Sequence, residues 1–256
     1  MGQIFRGASA TAALLLCAAT PAMASPWGQP EGEWLSIFKF DYYDTGREDG
    51  RQFRQSAFQY YSEHGFGGNW TLGGKTASAY QRITASPYED ERFGMTEAEF
   101  FAQRAVPTVD GEALALRLTY AFPTGSQSFL YDDEIQGRDA AIELAGLWGG
   151  SEGHTFVATK LGGRASLGDD ADELRFDMTL GRHAGERRMW LFDIHSTLSV
   201  TDADNDRGTD YDLVTVAPSF VTPINKRFRL QIGARADIWG DGLDTGTGAF
   251  LALWVE

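Results

Sequence analysis

From Glu112 to Phe122 the chain reads EALALRLTYAF, in which Leu114, Leu116, Leu118, Tyr120 and Phe122 alternate with Ala113, Ala115, Arg117, Thr119 and Ala121. A strict period of two is a β-strand with two unlike faces. One face is bulky, apolar and aromatic at its end; the other is small residues around a single arginine. A soluble strand buries its bulk and shows water its polar side. A strand that turns its bulk to lipid and its small or polar face to a lumen has this inverted composition. The same alternation sets Trp34, Phe38, Phe40 and Tyr42 on one face, and likewise Ile142, Leu144 and Trp148; Leu174, Phe176, Met178 and Leu180; Trp190, Phe192, Ile194 and Leu198; and Phe228, Leu230, Ile232 and Ile238. Twelve strands are predicted, at about 33–43, 53–64, 70–81, 96–106, 112–122, 139–148, 154–164, 173–183, 188–200, 211–221, 227–239 and 247–255.

The connections alternate in kind. DTGREDGR (44–51), SPYEDERFG (86–94), SFLYDDEIQG (128–137), LGDDADE (167–173), TDADNDRGTD (201–210) and GDGLDTG (240–246) are acidic and often long. Between them, GFGGN (65–69), PTVDG (107–111), GSEG (150–153), AGER (184–187) and TPINK (222–226) are short and turn-like. Long external loops alternating with short inner turns are the mark of an up-and-down membrane barrel. A β-propeller has a similar repeat length but needs four strands in the space where two fit. A soluble sandwich would share the alternation but has no reason to gather every acidic loop at one end.

Residues 1–24 are predicted to be a cleaved signal peptide: Arg6, the apolar run Ala8–Ala19 and the small-residue site Ala22–Met23–Ala24. Residues 25–256 are then the barrel. The single cysteine, Cys17, falls inside the leader, so the remaining chain has no thiol chemistry. Loss of Arg6 takes the formal net charge from −14 to −15, which argues against a nucleic-acid partner. After the leader no stretch is apolar for long enough to be a membrane helix, so if the chain sits in a membrane it crosses as strands.

The stretch YYSEHGFGGNWTLGGK (60–75) and the segment PWGQPEGEWLSIFKFDYY (26–43) resemble the uncharacterised outer-membrane β-barrel proteins of Gram-negative bacteria, a small porin-like class. The resemblance implies a place, the outer membrane, with lipid, lipopolysaccharide and the barrel-assembly machinery as partners, and no assigned activity.

Candidate chemistry lies on the lumen face, where Lys39, Asp41, Lys75, Arg117, Glu143, Lys160, Arg164, Arg175, Asp177, Asp193, His195, Arg227, Arg229, Arg235 and Asp237 are expected. Such residues either line a narrow channel for small solutes or ions, or interlock as a salt-bridged plug. A barrel of twelve strands lies between filled and open sizes, so strand number leaves both readings open. Cations outnumber acids in this lumen set, against the acidic loops at the mouth. A lipid-acting Ser–His enzyme is disfavoured, because His195 and Ser196 are neighbours on a strand and point to opposite faces; no catalytic residue and no cofactor are predicted. Asp193 and His195 share a face and can form an oriented pair. Asp202, Asp204 and Asp206 open like a calcium loop, but Gly208 comes one place late and Leu213 stands where the bidentate Glu should be, leaving only a weak divalent candidate.

Overall fold

In the computed structural model the described residues are 25–47, 51–85, 88–108, 112–129, 134–185, 188–204 and 210–256. The expected leader, residues 1–24, lies outside them. Fourteen strands form one antiparallel sheet: β1 (Trp34–Asp44), β2 (Arg51–Phe66), β3 (Trp70–Ala85), β4 (Tyr88–Val106), β5 (Glu112–Ala121), β6 (Gly125–Ser128), β7 (Glu134–Gln136), β8 (Ala141–Glu152), β9 (Thr155–Ser166), β10 (Glu173–His183), β11 (Met189–Ser199), β12 (Asp212–Pro223), β13 (Phe228–Asp241) and β14 (Thr247–Val255). Sequential neighbours pair, β5 passes directly to β8, and β1 returns to β14 from Ser36↔Val255 to Asp44↔Thr247. The twelve strands other than β6 and β7 thereby close into a barrel. Closure leaves the wall no edge, which a lipid environment requires because an unpaired N–H or C=O there costs several kcal/mol.

Side chains alternate as the sequence pattern demands. In β5, Ala113, Ala115, Arg117, Thr119 and Ala121 are buried inside while the leucines between them are exposed, Leu116 at 59%. Phe38, Phe40, Tyr42, Phe58, Leu144, Leu161, Trp190, Ile232 and Leu251 add to an exposed apolar belt around the outside. Exposed apolar surface of that extent on every side is a membrane-facing surface.

Two departures from the sequence reading occur near the acidic connections. Residues 86–94, expected as a loop, belong mostly to β4, which runs on past the barrel proper opposite β3 as far as Tyr88↔Ala85. Its projecting end then pairs with β6, and β6 with β7, in a segment expected as loop. The alternation Tyr88, Asp90, Arg92 is polar on one side and carries few apolar residues, so it lacks the contrast by which a strand is recognised, yet its backbone is satisfied by β3.

At the short-turn end the lumen is apolar. Leu35, Ile37, Tyr61, Phe101, Phe156, Met189, Leu191, Val221, Ala252 and Trp254 form one buried cluster that fills the bore. Three of its neighbouring rings lie flat across strand glycines: Phe101 is the register partner of Gly73, Phe156 of Gly181 and Phe250 of Gly233. A Cβ on any of these glycines would come within 2.3 Å of the ring. Glycine inside a strand here makes room for an aromatic neighbour, which in turn shields the backbone.

Residues 25–33 turn back into this end. Ser25 and Pro26 are fully buried, Trp27 packs edge-on against Phe156, and Glu31 bridges to Gly65. Gln29 donates its backbone N–H to Thr71 Oγ1 at 3.0 Å and its Nε2 to Glu63 Oε1 at 2.6 Å, while Gln103 Nε2 donates to the Ser25 carbonyl at 3.1 Å.

An arginine at Leu116 or Leu144, both outward-facing in mid-strand, should cost about 2 to 4 kcal/mol and lower the denaturant midpoint in a heat-modifiability assay. The same residue at inward-facing Gln59 should cost much less; equal tolerance on both faces would contradict this assignment of outside and inside.

Candidate functional site in the barrel lumen

Above the apolar cluster the lumen is polar and charged. Because cross-strand neighbours on one face sit about 4.5 to 5.5 Å apart, the register decides which charges meet. Asp177 faces Lys160 on one side and His195 on the other. Its oxygens accept from Lys160 Nζ and from His195 Nδ1, each at 2.9 Å. Lys160 also donates to Glu143 at 2.9 Å. Arg175 spans Glu173 at 2.7 Å, Glu143 at 3.5 Å and Glu99 at 3.6 Å, and Arg164 reaches Glu99 at 2.9 Å. On the opposite wall Lys75 meets Glu97 at 2.6 Å, while Asp41, fully buried, lies between Lys39 at 3.5 Å and Arg235 at 3.2 Å. Arg117 donates through Nε and Nη2 to Gln103 and lies over the Phe101 ring, 4.1 Å from its centroid.

At the loop end, Arg138 in the link before β8 is held by Glu173 and, at 3.3 Å, by Asp170. Burial there disfavours its charge, but the Glu173 carboxylate outweighs that and keeps the guanidinium protonated above its ordinary range.

Most of the residues expected in the lumen are there. Lys39, Asp41, Lys75, Arg117, Glu143, Lys160, Arg164, Arg175, Asp177, Asp193, His195, Arg229, Arg235 and Asp237 all point inward. Arg227 does not. It lies exposed in the turn between β12 and β13, where Asn225 Oδ1 accepts the backbone N–H groups of both Arg227 and Phe228 and so starts β13 one residue later than expected. Nor does Asp193 orient His195. Residues two apart along a strand are spread by the rise, whereas the directly opposed Asp177 is within reach; Asp193 instead accepts from its own opposite neighbour, Thr179 Oγ1, at 2.5 Å. Asp237 accepts from Thr215 Oγ1 at 2.6 Å and from the Tyr43 hydroxyl.

Four acids missing from the sequence reading, Glu63, Glu97, Glu99 and Glu173, also face inward and cancel the excess of lumen cations. Parity would have found Glu97 and Glu99, which share a face with Phe101 and Gln103. Asp202 and Asp204 are exposed in the link between β11 and β12, Asp206 lies outside the described residues, and among the described residues no three His, Cys, Asp or Glu groups are arranged to hold a metal ion.

Cavities lie between these groups in the lumen. A vestibule of about 750 Å³ at the loop end is bounded by Gln55, Gln81, Arg92, Arg138, Arg164 and Tyr211. Below it lie chambers of about 240 Å³ and 210 Å³. Gln59 borders the vestibule and the larger chamber, Glu99 and Arg175 border the vestibule and the smaller, and Tyr61, Lys75 and His195 border both chambers.

The architecture has counterparts among solved structures. An outer-membrane channel from Pseudomonas putida F1 aligns with a TM-score of 0.67 over 93% of this chain and 99% of its own, at 11% identity. The fold is that of an outer-membrane β-barrel. The KdgM porin aligns at 0.56 over 87% of this chain and 98% of its own with 6% identity, and the translocator domain of the autotransporter NalP from Neisseria meningitidis at 0.54 over 89% of each with 11%. No protein-family profile matches the chain, and no curated protein matches it in sequence.

Replacing Glu143 by Gln strands Lys160 and Arg175 partly unpaired and should destabilise the barrel by roughly 3 kcal/mol in a urea titration. Lys160→Met also takes a partner from Asp177 and is destabilising alone, but the two changes together should cost less than the sum of their single losses in a double-mutant cycle; strictly additive losses would mean that the pair does not interact.

Proposed function

We propose that the barrel is a narrow passive channel for small polar solutes in the outer membrane. The observation that carries this reading is the run of polar cavities from the loop end down to the apolar cluster. A barrel serving only as a scaffold gains nothing from keeping charged side chains hydrated through the membrane section, since an apolar filling of the same volume is as stable or more so. Lys39, Lys75, Glu143, Lys160, Arg175, Asp177, His195 and Arg235 line the path, Asp41 stands behind Lys39 and Arg235, and the acidic loops lie at its outer mouth with the short turns on the periplasmic side. Residues 1–24 act as a leader that is removed, the barrel-assembly machinery inserts the remainder, and lipid and lipopolysaccharide surround it.

A second reading, a plugged barrel that acts at the surface, is favoured by the turn end. There Trp254, Met189 and Val221 are fully buried and residues 25–30 enter the bore. The two readings meet if that segment is the closing element of the channel. Gly149 gives direct access to it, because a Cβ at Gly149 would stand 2.5 Å from both Pro26 Cγ and Trp27 Cη2.

The deciding measurement is planar-bilayer conductance of the refolded chain beginning at Ser25. Gly149→Val should displace the segment and raise the time spent open at least several-fold over the parent. A disulfide between Gln29→Cys and Thr71→Cys, in a chain then free of other cysteines, should silence the barrel until it is reduced. If the valine variant folds and stays as silent as the parent, the plugged barrel is the correct reading.

A further inference from the structure

We propose that the larger lumen chamber is a binding subsite for an uncharged polyhydroxylated solute of the size of one sugar ring, an inference that rests on the channel reading and names its substrate class. The chamber is bounded by Gln59, Lys75, Gln231, Arg235, Tyr61 and Trp254, together with Phe250 and Ile37. At about 240 Å³ it falls below the roughly 300 Å³ at which pockets for drug-sized molecules begin, so it admits one small ring.

Charge decides the class. The three cations at this chamber are matched in number by three acids: Lys39 and Arg235 share Asp41, Lys75 holds Glu97 at 2.6 Å, and a third acid lies in the chamber wall. The acid at its wall, Asp193, takes the Thr179 hydroxyl, and His195 is held by Asp177. An anion would have to compete with a buried carboxylate for a cation, and a cation would have to enter among lysines and an arginine. Either must shed water without a counter-charge left over, at a cost of several kcal/mol. A neutral solute avoids that cost.

Hydrogen-bonding capacity remains. The Gln59 amide makes no side-chain hydrogen bond among the described residues, and offers a donor and an acceptor at the passage from vestibule to chamber. Buried Arg235 Nε also has no hydrogen-bond partner among them. Groups that donate and accept at once, as hydroxyls do, fit this mixture. Tyr61, Phe250 and Trp254 border the chamber and make part of its wall apolar, which suits the C–H groups of a sugar ring. Trp254 donates its Nε1–H to Gln231 Oε1 at 2.9 Å, and Gln231 in turn donates to Ser219 at 2.9 Å, so this wall is fixed before a ligand arrives.

Calorimetric titration of the refolded barrel with glucose, glucuronate and glucosamine tests the assignment. Glucose should bind saturably in the millimolar range, and the two charged sugars at least tenfold more weakly. Gln59→Leu should weaken glucose at least tenfold with unchanged heat-modifiability, and Gln59→Glu, which adds an unpaired carboxylate, should turn the preference toward glucosamine. The inference fails if no saturable heat appears with glucose, if glucuronate or glucosamine binds the parent as tightly, or if Gln59→Leu leaves glucose binding unchanged. Liposome swelling on the same preparation separates the two claims. Glucose bound without passage would sink the channel and keep the subsite, whereas passage without binding would do the reverse.

Discussion

The constraint on which this molecule depends is that no backbone group may face lipid unpaired. Pairing β1 with β14 meets it, and every other feature is then a consequence of which residues the closed wall turns inward. Because the side-chain period is two, closure in one register commits leucines and aromatics to the bilayer and Asp41, Arg117, Glu143, Asp177 and Arg229 to the interior together. A slip of one residue between any two strands would put a buried charge into lipid and a leucine into the bore. The charges in the lumen therefore help fix the register as well as occupy the interior.

Register also explains why the interior is electrically quiet. Asp177 meets Lys160 and His195, Lys75 lies opposite Glu99, and Glu173 and Glu143 both face Arg164, because these positions are direct cross-strand partners. In bulk water such pairs would contribute little. In a bore walled by low-dielectric protein and lipid, an unpaired member would cost far more than the pair gains, so composition is driven toward balance strand by strand.

How much of this was legible follows from contrast. The strands with bulky apolar residues on one side and small or charged residues on the other, β1, β5, β8 and β10, could be read with their correct faces from alternation alone. The end of β4 could not, since 88–94 is polar on both readings and is held as a strand by pairing with β3 and β6, partners distant in sequence. Glu97 and Glu99 lie within the predicted strand 96–106 and share the parity of Phe101 and Gln103, so alternation there does place them in the lumen. Arg227 had the right parity but the wrong element, because one asparagine side chain can end a turn a residue later than hydropathy suggests. The pairing of His195 was misjudged by looking along the strand, where spacing is visible in sequence, instead of across it, where it is not. Least legible of all was the docking of residues 25–33, a stretch with no period, whose place is set by shape: a glycine at 149, a ring at Phe156 and the carboxylate of Glu63.

The two ends of the bore obey different physics, and that difference gives the barrel a direction. At the loop end, charges that are paired yet hydrated can exchange a water for a solute hydroxyl at little net cost. At the turn end, Met189, Val221 and Trp254 exclude water, so a polar solute reaching them loses its hydrogen bonds and gains nothing in return. What separates the regions is a layer about one side chain deep, where Tyr61 has its ring in the apolar cluster, stacked on Phe101, and its hydroxyl on Glu63 at 2.6 Å. That same carboxylate holds Gln29 of the docked segment. The docked segment and the chamber wall thus bond the two oxygens of one buried carboxylate, since Tyr61, on Oε2, borders both chambers and Gln29 holds Oε1. One buried acid therefore ties the docked residues at the turn end to the wall of the polar chambers above them.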